Sequence, residues 1–425
     1  GCHFLLMAGE NQPQLGKFGF DIPIITVKIV THDYVIIGGG IVGAATAYSI
    51  LKKKPGSKLI LIEKGNALSQ HQTGNNSGVI HSGLYYKPGS LKARNCTTGR
   101  EMMYRFCEEH GIYHEKCGKV VVATSKDEIP RLNNIEERGR ANGLTEIKRL
   151  TAEEIREYEP HAAGIEGLFV PQTGIVYFTK VVEKLGELIT SLGGEIRLNC
   201  EFRELKERGN ELHLLTTQGD ITAKYLVNCG GLHSDVIAKK CGVDPEIKII
   251  PFRGEYYKLA PSKEYLVKNL IYPVPDPAFP FLGVHFTRMA KGGVEAGPNA
   301  VPAFKREGYS WGDFSIEDTV EFLTFPGYIK MSSKFAGMGL KEIYRSLNKG
   351  AFTRALQKLL PAIQENDLVR GGAGVRAQAL DRSGKLLDDF YLKHTRNMLH
   401  VLNAPSPAAT ASLSIGEYIA EEAFR

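Results

Sequence analysis

One stretch of the chain, residues 34–63, carries the complete pattern of a dinucleotide-binding unit. An apolar, β-branched run predicts a first strand and leads into the glycine-rich residues 38–43, which have the G-x-G-x-x-G spacing. The alanine-rich residues 41–54 predict a helix, and a second apolar run at 58–62 predicts a second strand. Strand, glycine turn, helix and strand in this order are typical of a Rossmann-like fold.

Each residue type in this unit has a physical role in holding a dinucleotide. Gly38 permits the tight turn, Gly40 lets the backbone approach a pyrophosphate, and Gly43 allows the helix to pack closely on the strand. The free N–H groups at the start of the helix favour the phosphates. Glu63 follows 20 residues after Gly43 and is placed to accept hydrogen bonds from ribose hydroxyls, which disfavours a 2′-phosphate.

Length, charge and cysteine content limit the class of protein. The chain has 425 residues, which predicts two domains of ordinary size. Its net charge of +6 is scattered, which suits an anionic substrate or an acidic membrane surface but does not indicate nucleic acid. The 7 cysteines form no C-x-x-C pair, which indicates a reducing compartment and no metal site. No apolar run approaches the ~18 residues that a bilayer-spanning helix needs.

Beyond the nucleotide unit, predicted strands and helices alternate without internal repeats. A polar, glycine-rich segment at 66–91 is long for a connection and is therefore predicted to be a functional loop. Helices are predicted at 128–142, within 172–194, across most of 315–360 and at 408–418. Strands are predicted at 118–123, 195–200, 212–217, 225–229, 252–259, 281–288, 371–378 and 400–404.

Distinctive motifs lie in order along most of the chain, at 71–83, 251–256, 272–276, 281–287, 297–301, 304–309, 373–378 and 403–410. Together they resemble the motifs of the FAD-dependent D-amino-acid-oxidase-like oxidoreductases. Within that family they are most similar to the enzymes that oxidise L-2-hydroxyglutarate. The resemblance begins near position 32 and leaves residues 1–30 outside it, as an N-terminal extension. One departure is Asn75, where the family pattern H-Q-T-G-H-N-S-G has a histidine.

The resemblance implies a fold, a cofactor and a reaction. The fold is α/β, with a Rossmann-like FAD-binding domain around a central parallel sheet, formed by residues 31–115, 171–250 and 365–425. It is interleaved with an α+β substrate domain on a mostly antiparallel sheet, formed by residues 116–170 and 251–364. FAD then oxidises a 2-hydroxydicarboxylate, L-2-hydroxyglutarate, to 2-oxoglutarate by hydride transfer to flavin N5. The electrons pass to a quinone or to oxygen.

Oxidation of a secondary alcohol needs a base for the hydroxyl proton and a cation for the carboxylate. His285 and His81 are the two candidates for the base, and the choice between them stays open. The alternative to a catalytic role is a buried core histidine for His285 and a loop histidine bonded to backbone for His81. Arg376 and Arg253 are the predicted substrate-binding residues, because a planar guanidinium matches a carboxylate in two-pronged geometry.

Two further expectations concern side-chain direction and the second carboxylate. Arg253 and Tyr256 are three apart on one predicted strand, so their side chains face opposite sides, and Arg253 is expected at the pocket with Tyr257 on its face. Lys305 and Arg306 are candidates for contact with the distal carboxylate of the substrate, with an ordinary solvated surface as the alternative.

The expected cofactor-binding residues lie in four parts of the sequence: the glycine turn, the second strand end, the long loop, and the later glycine and proline motifs. The proline motif leads into the predicted helix 408–418, whose N-terminus could stabilise negative charge on the reduced flavin. The set is Gly38, Gly40, Gly43, Glu63, Lys64, Thr73, Ser77, Gly78, Gly230, Pro407, Ala408 and Thr410.

Two alternative functions remain open from the sequence: an amine or amino-acid oxidase of the same fold, and a catalytically inactive flavin-binding module. The expected location is a bacterial cytoplasm, with peripheral contact to the inner membrane, because residues 1–30 lack the arginine-rich character of a transit peptide. A processed mitochondrial protein is the alternative.

Overall fold

The computed structural model describes residues 30–276 and 282–425. The predicted N-terminal extension, apart from Val30, and Phe281 at the start of a predicted strand lie outside the described residues. Thr31–Arg425 forms one compact unit. Among the described residues, no helix is both long and apolar enough to cross a bilayer.

Ten α-helices occur within residues 30–276 and 282–425. They are α1 Ile41–Lys53, α2 Leu91–Glu109, α3 Ile129–Ala141, α4 Ala152–Tyr158, α5 Phe178–Ser191, α6 Ser234–Lys240, α7 Ile316–Leu323, α8 Pro326–Leu347, α9 Lys349–Gln357 and α10 Ser412–Ala423.

Twenty strands occur in the same described part of the chain. They are β1 Thr31–Ile37, β2 Leu59–Ile62, β3 Val79–Ile80, β4 His114–Glu115, β5 Lys119–Ala123, β6 Lys148–Thr151, β7 Glu166–Val170, β8 Gly174–Val176, β9 Glu195–Arg197, β10 Phe202–Arg208, β11 Glu211–Thr216, β12 Ile221–Asn228, β13 Ile247–Leu259, β14 Leu270–Pro273, β15 His285–Arg288, β16 Val294–Gly297, β17 Val301–Pro302, β18 Leu368–Asp381, β19 Tyr391–His394 and β20 Met398–Asn403.

The first large sheet contains the dinucleotide-binding unit. Its strand order is β10-β11-β12-β1-β2-β9, with β20 paired to β12 and β19 paired to β20. The pairs of β1 with β12 and β2, of β2 with β9 and of β12 with β20 are parallel. Strands β1 and β2 are almost continuously apolar because the parallel core of the sheet is covered on both faces.

Helix α1 packs close to this sheet and to α10 because small residues lie at the contacts. A Cβ added to Gly416 would lie 2.5 Å from the carbonyl carbon of Ala45, so these two helices touch through their backbones. The alanines of α1, including Ala44 and Ala47, are completely buried. The helix is therefore held by close packing on both sides, which fixes its N-terminus at the end of β1.

The second large sheet is mostly antiparallel. Its strand order is β17-β13-β16-β15-β14-β5-β7-β6, and β18 pairs with β13. Only the pairing of β14 with β5 is parallel among its described pairs. Strands β3, β8 and β4 form a small third sheet. The two large sheets draw their strands alternately from the chain, as the predicted interleaving requires.

The predicted domain boundaries stay a prediction. One strand, β18, belongs to a different sheet from the one that these boundaries imply. Strand β18 falls within the predicted nucleotide-domain segment 365–425, yet it pairs with β13 of the second sheet along nearly its whole length. The sequence did not indicate this pairing, because an isolated apolar strand pattern does not specify its partner. Arg376, on β18, is thereby placed on the second sheet, opposite Phe252.

Candidate active site

A cavity of about 720 Å³ contains most of the predicted site residues. Its walls are formed by the ends of β1, β2 and β20 and the turn after β12 from the first sheet, and by parts of β13, β14, β15 and β18 from the second. The long loop after β2 and the proline-containing segment after β20 complete it. Residues from distant parts of the chain therefore meet in one space large enough for an extended ligand.

The three motif glycines divide into two structural roles. Gly38 has φ +112°, and Gly43 packs so closely that an added Cβ would lie 2.0 Å from the Gly38 carbonyl oxygen. These two shape the turn and seat the helix on the strand. Gly40 lines the cavity, and a Cβ there would meet only Thr73 Oγ1 at 3.4 Å within the protein. The bare backbone at Gly40 is therefore open towards a ligand.

Glu63 is buried in the cavity wall and held by backbone donors. Gly39 N–H donates to Glu63 Oε2 at 2.7 Å, and Gly65 N–H donates to Glu63 Oε1 at 2.8 Å. Both bonds fix the carboxylate beside the start of α1. Its remaining lone pairs can accept hydrogen bonds from ribose hydroxyls, as the spacing of the motif predicts.

The long loop closes on the start of α1. Ile41 N–H donates to Thr73 Oγ1 at 3.0 Å, so Thr73 satisfies one of the N–H groups that a helix N-terminus leaves without an intrahelical partner. Gly40 is the N-cap residue and has no capping side chain. An uncapped helix start, an open glycine and a fixed carboxylate fit the pyrophosphate and ribose of a dinucleotide.

A cluster of charged side chains lines the cavity next to Glu63. Glu307 lies on the connection between β17 and α7 and binds Lys64, His233 at 3.1 Å and His71 at 3.4 Å. Burial raises the pKa of Glu307, but hydrogen bonds from His233 and Lys64 outweigh it and hold the pKa at about 2. Lys64, a predicted cofactor residue, is therefore ion-paired across the cavity to the chain of the second sheet.

The remaining predicted cofactor residues are placed differently. Five of them, Ser77, Gly230, Pro407, Ala408 and Thr410, line the cavity. Thr410 is completely buried, accepts from His81 N–H at 3.0 Å and donates to the Val79 carbonyl at 3.2 Å. Gly78 does not line the cavity; it has φ +67°, and a Cβ would lie 2.7 Å from the Val176 carbonyl oxygen.

His285 and His81 both line the cavity, and neither imidazole is charged at neutral pH. Burial, together with the smaller effects of Lys119, His285 and Arg376, lowers the pKa of His81 to about 3. Burial likewise lowers the pKa of His285 to about 3, against a hydrogen bond with the Gly283 carbonyl.

The hydrogen bond of His285 determines which nitrogen carries its proton. Nδ1 lies 2.8 Å from the carbonyl oxygen of Gly283, and a carbonyl oxygen only accepts, so Nδ1 is the donor. Neutral His285 then has its lone pair on Nε2. Its ring is also packed against Tyr272, with the ring centroids 4.0 Å apart. His285 thus combines a fixed ring with a free basic nitrogen.

Arg376 reaches the cavity from β18. The neighbouring Gly374 lets the long loop approach: a Cβ added there would lie 2.4 Å from the carbonyl oxygen of Asn75. The Arg376 charge lowers the pKa of both His81 and His285, which places the guanidinium near the two imidazoles. An arginine beside a neutral histidine in this cavity is suited to hold a carboxylate.

Arg253 does not reach the cavity, and Tyr256 does. Strand alternation puts Gly254 and Tyr256 on the cavity wall, so Arg253 faces the other side of β13. There its Nε donates to Glu255 at 3.1 Å, and its guanidinium stacks on Trp311 at 4.5 Å from the ring centroid. The two residues do face opposite sides as predicted, but the expectation that Arg253 is the one at the pocket is wrong.

Arg306 and Lys305 are also absent from the described cavity wall. Arg306 is 3% exposed and forms ion pairs with Asp235 at 2.8 Å and Glu321 at 2.8 Å. A third carboxylate, Asp318, lies 3.4 Å from its Nε. The guanidinium is fully engaged in ion pairs with these carboxylates. Arg306 therefore joins α6 to α7 and does not bind a distal carboxylate.

Asn75 and the proline motif complete the comparison with the predicted site. Asn75 Nδ2 donates to the carbonyls of Gln70 at 3.0 Å and His71 at 2.9 Å, so the side chain stabilises the loop's own turn. The last helix begins at Ser412 rather than at 408. Pro407 and Ala408 therefore line the cavity from irregular backbone before the helix.

Several residues in or next to the cavity were not among the predicted site residues. Tyr85, Tyr86, Tyr256 and Tyr272 line the same region as the histidines. Lys119, at the start of β5, lies behind two of these rings and is 1% exposed. A single lysine heading the apolar run Lys119-Val-Val-Val-Ala123 was the available signal, because such a strand otherwise buries only apolar side chains.

The sequence family described as FAD dependent oxidoreductase (DAO) matches residues 33–422. The chain belongs to this family. FAD is accordingly its cofactor, and the predicted fold and oxidoreductase class are confirmed. The open backbone at Gly40 and the fixed carboxylate of Glu63 fit the pyrophosphate and ribose of this cofactor.

Two curated relatives within the FAD-dependent oxidoreductase family span almost all of the chain. The L-2-hydroxyglutarate dehydrogenase of Indibacter alkaliphilus is 54% identical over 392 residues, which cover 92% of this chain and 98% of that protein. The human mitochondrial L-2-hydroxyglutarate dehydrogenase is 44% identical over 409 residues, covering 92% of this chain and 88% of that protein.

A solved structure supports the same fold. The L-α-glycerophosphate oxidase of Mycoplasma pneumoniae, with FAD bound, superposes with a TM-score of 0.75 at 21% identity. The superposition covers 93% of this chain and 94% of the oxidase. At this level of identity the likeness concerns the fold alone.

Proposed function

We propose that the chain is an FAD-dependent L-2-hydroxyglutarate dehydrogenase that produces 2-oxoglutarate. The observation that carries the proposal is the pairing of a neutral His285, with Nε2 as its free acceptor, and Arg376 in the cavity that also holds the dinucleotide motif. The relatives' activity and their near-complete coverage of the chain support the choice of substrate.

The reaction removes a proton from the 2-hydroxyl and a hydride equivalent from carbon 2. Bound FAD supplies the acceptor for the two electrons. Arg376 holds the carboxylate next to the reacting carbon, which orients the hydroxyl. His285 Nε2 accepts the hydroxyl proton, since Nδ1 is already bonded to Gly283. His81, whose backbone is tied to Thr410, helps to shape the wall at the flavin.

Aromatic side chains lie beside His285 and Arg376 and add no charge of their own. Tyr256 and Tyr272 line this region, and burial raises the pKa of Tyr256 to about 12, so its phenol stays neutral. In such surroundings the attraction between Arg376 and a carboxylate is stronger than in bulk water. The arrangement suits an anionic substrate with an uncharged reacting group.

The substrate class is tested by anaerobic mixing of the holoprotein with L-2-hydroxyglutarate, D-2-hydroxyglutarate and L-glutamate in parallel. We expect rapid loss of the oxidised flavin absorbance with L-2-hydroxyglutarate only. Loss with L-glutamate instead would indicate the amino-acid oxidase alternative. A flavin that stays oxidised with all hydroxy acids and amino acids would indicate an inactive flavin-binding module.

The electron acceptor, a quinone or oxygen, stays a prediction, as does peripheral contact with an anionic membrane. The membrane contact is supported by α8, where Leu340, Tyr344 and Leu347 are exposed along one side of the helix. The same helix carries four cationic residues against the single acid Glu342. Failure of the protein to sediment with anionic lipid vesicles would contradict this contact.

A further inference from the structure

Lys119 is a buried cation with aromatic neighbours. Its Nζ lies 4.4 Å from the ring centroid of Tyr85 and 4.9 Å from that of Tyr272. Both tyrosines line the cavity. Within the described part of the chain, Lys119 forms no ion pair with a carboxylate. The amine therefore lies directly behind the lining residues of the cavity, against the faces of two lining rings and without a counter-charge among the described residues.

Lys119 lies near the two cavity histidines, His81 and His285. Its charge lowers the pKa of both His81 and His285, as the charge of Arg376 does. Two cations thus act on the same pair of imidazoles from different strands, β5 and β18. The hydroxyl of Tyr85 is buried without a hydrogen-bond partner among the described residues, which leaves a donor near Lys119 unused.

A lysine in this position is costly unless an anion joins it. Burial lowers the pKa of Lys119 to about 7, so its protonated form is only partly retained in the free protein. A methionine of similar length would pack between the rings without that penalty. An arriving carboxylate would restore the charge of the amine and give the Tyr85 hydroxyl an acceptor.

We propose that Lys119, held between the rings of Tyr85 and Tyr272, pairs with the second carboxylate of the substrate. This inference rests on the proposed function, in which Arg376 holds the carboxylate beside the reacting carbon. Lys119 then makes the site select dicarboxylic over monocarboxylic 2-hydroxy acids. It takes the role expected of Lys305 or Arg306; the guanidinium of Arg306 is already paired with Asp235 and Glu321.

Another lysine near the histidines, Lys92, lines the cavity but is less suited to this role. It lies 4.9 Å from the ring centroid of Tyr86 but is only half-buried. Burial lowers the pKa of Lys92, and the carboxylates of Asp388 and Asp389 act in the opposite direction. Lys92 therefore has acidic neighbours already, whereas Lys119 has none among the described residues.

The test compares two substrates of equal chain length in Lys119→Met holoprotein. L-2-Hydroxyglutarate carries the second carboxylate, and L-2-hydroxypentanoate has a methyl group in its place. We expect kcat/KM for L-2-hydroxyglutarate to fall by roughly 30-fold or more, because a buried charge partner is lost. The value for L-2-hydroxypentanoate should change by less than about threefold, and Lys119→Arg should retain most of the preference.

Two controls separate selectivity from folding. Lys52→Met removes an exposed cation that lies 5.6 Å from the ring centroid of Tyr48, and its substrate preference should match the wild type. Binding of glutarate, followed by the flavin absorption change, should weaken in Lys119→Met in proportion to the loss in kcat/KM. Lys119→Gln supplies the same comparison if the methionine variant fails to retain FAD.

The inference is overturned if Lys119→Met or Lys119→Gln keeps the wild-type ratio of the two substrates, or loses both activities equally while glutarate binding is unchanged. This outcome differs from failure of the proposed function. In that case the wild-type flavin would not be reduced by L-2-hydroxyglutarate at all, while glutarate binding would still report on Lys119.

Discussion

The two histidines of the cavity differ in the bonding of their rings, and this difference predicts their contributions. His285→Ala should slow flavin reduction by about 10²- to 10⁴-fold, the usual contribution of a general base. His81→Ala should slow it less and should mainly alter flavin absorption or binding. The measurement is stopped-flow flavin reduction under anaerobic conditions. A larger loss of rate in His81→Ala would reverse the two roles.

The same experiment run across pH tests the protonation state. Burial lowers the pKa of His285 to about 3, so the neutral base is present above that value and is lost only as pH falls through it. Flavin reduction at low substrate should therefore show no acid limb near neutrality from this residue. A limb near pH 6.5, the ordinary value for histidine, that disappears in His285→Ala would contradict the account.

Arg376 should affect all 2-hydroxy acids alike because it binds the carboxylate that they share. Arg376→Lys keeps the charge but loses the two-pronged geometry. We expect a loss of ~2–5 kcal/mol in transition-state binding, roughly 30- to several-thousand-fold in kcat/KM. The loss should be similar for L-2-hydroxyglutarate and L-2-hydroxypentanoate, in contrast to Lys119→Met. Wild-type rates in this variant would remove Arg376 from the site.

At the scale of single residues, the sequence predicted chemistry better than direction. The motifs were sufficient to identify His285, His81 and Arg376, and all three residues lie on the cavity wall. Arg253 was expected there and Tyr256 was not, since alternation along a strand separates their faces without saying which face is which. Lys119 could not be assigned, because its neighbours come from β14 and the long loop, far away in sequence.

At the scale of elements, the glycine turn before α1 separates positions that shape the fold from the one that meets the cofactor. Gly40→Val should abolish FAD binding while the protein remains folded, because only Thr73 lies within 4 Å of the added Cβ. Glu63→Ala should weaken FAD binding less severely. The ratio of flavin to protein absorbance, with the thermal unfolding temperature, measures both effects.

A matched control is Gly337→Val, at an exposed position of α8 with open space around the added Cβ. It should retain full flavin content. If purified Gly40→Val protein also retains full flavin content, the assignment of this turn to the pyrophosphate is wrong.

Elements with regular apolar patterns were predicted to within a few residues, and others were not. The first unit was found because β1, α1 and β2 follow one another with clear periodicity and a known turn. Helix α2 was not predicted, because its buried face includes the polar residues Asn95 and Arg100. Ser90, which accepts from Ala93 N–H at 3.1 Å, was an available N-cap signal.

At the scale of the whole molecule, two sheets with alternating chain segments create a shared cavity. The interleaving was predictable from the order of motifs, whereas the pairing of β18 with β13 was not, because it joins strands more than a hundred residues apart. That pairing brings Arg376 to the cavity from the second sheet. The glycine turn and Arg376, the proposed carboxylate-binding residue, thus belong to different sheets and line the same cavity.

The central claim is that this cavity couples FAD to the oxidation of L-2-hydroxyglutarate, and a single anaerobic turnover tests it most directly. Holoprotein is mixed with a small excess of L-2-hydroxyglutarate, and the reduced flavin and the 2-oxoglutarate formed are both quantified. The account predicts equimolar amounts of the two. Flavin reduction without 2-oxoglutarate, or no reduction by a holoprotein that an amino acid does reduce, would contradict it.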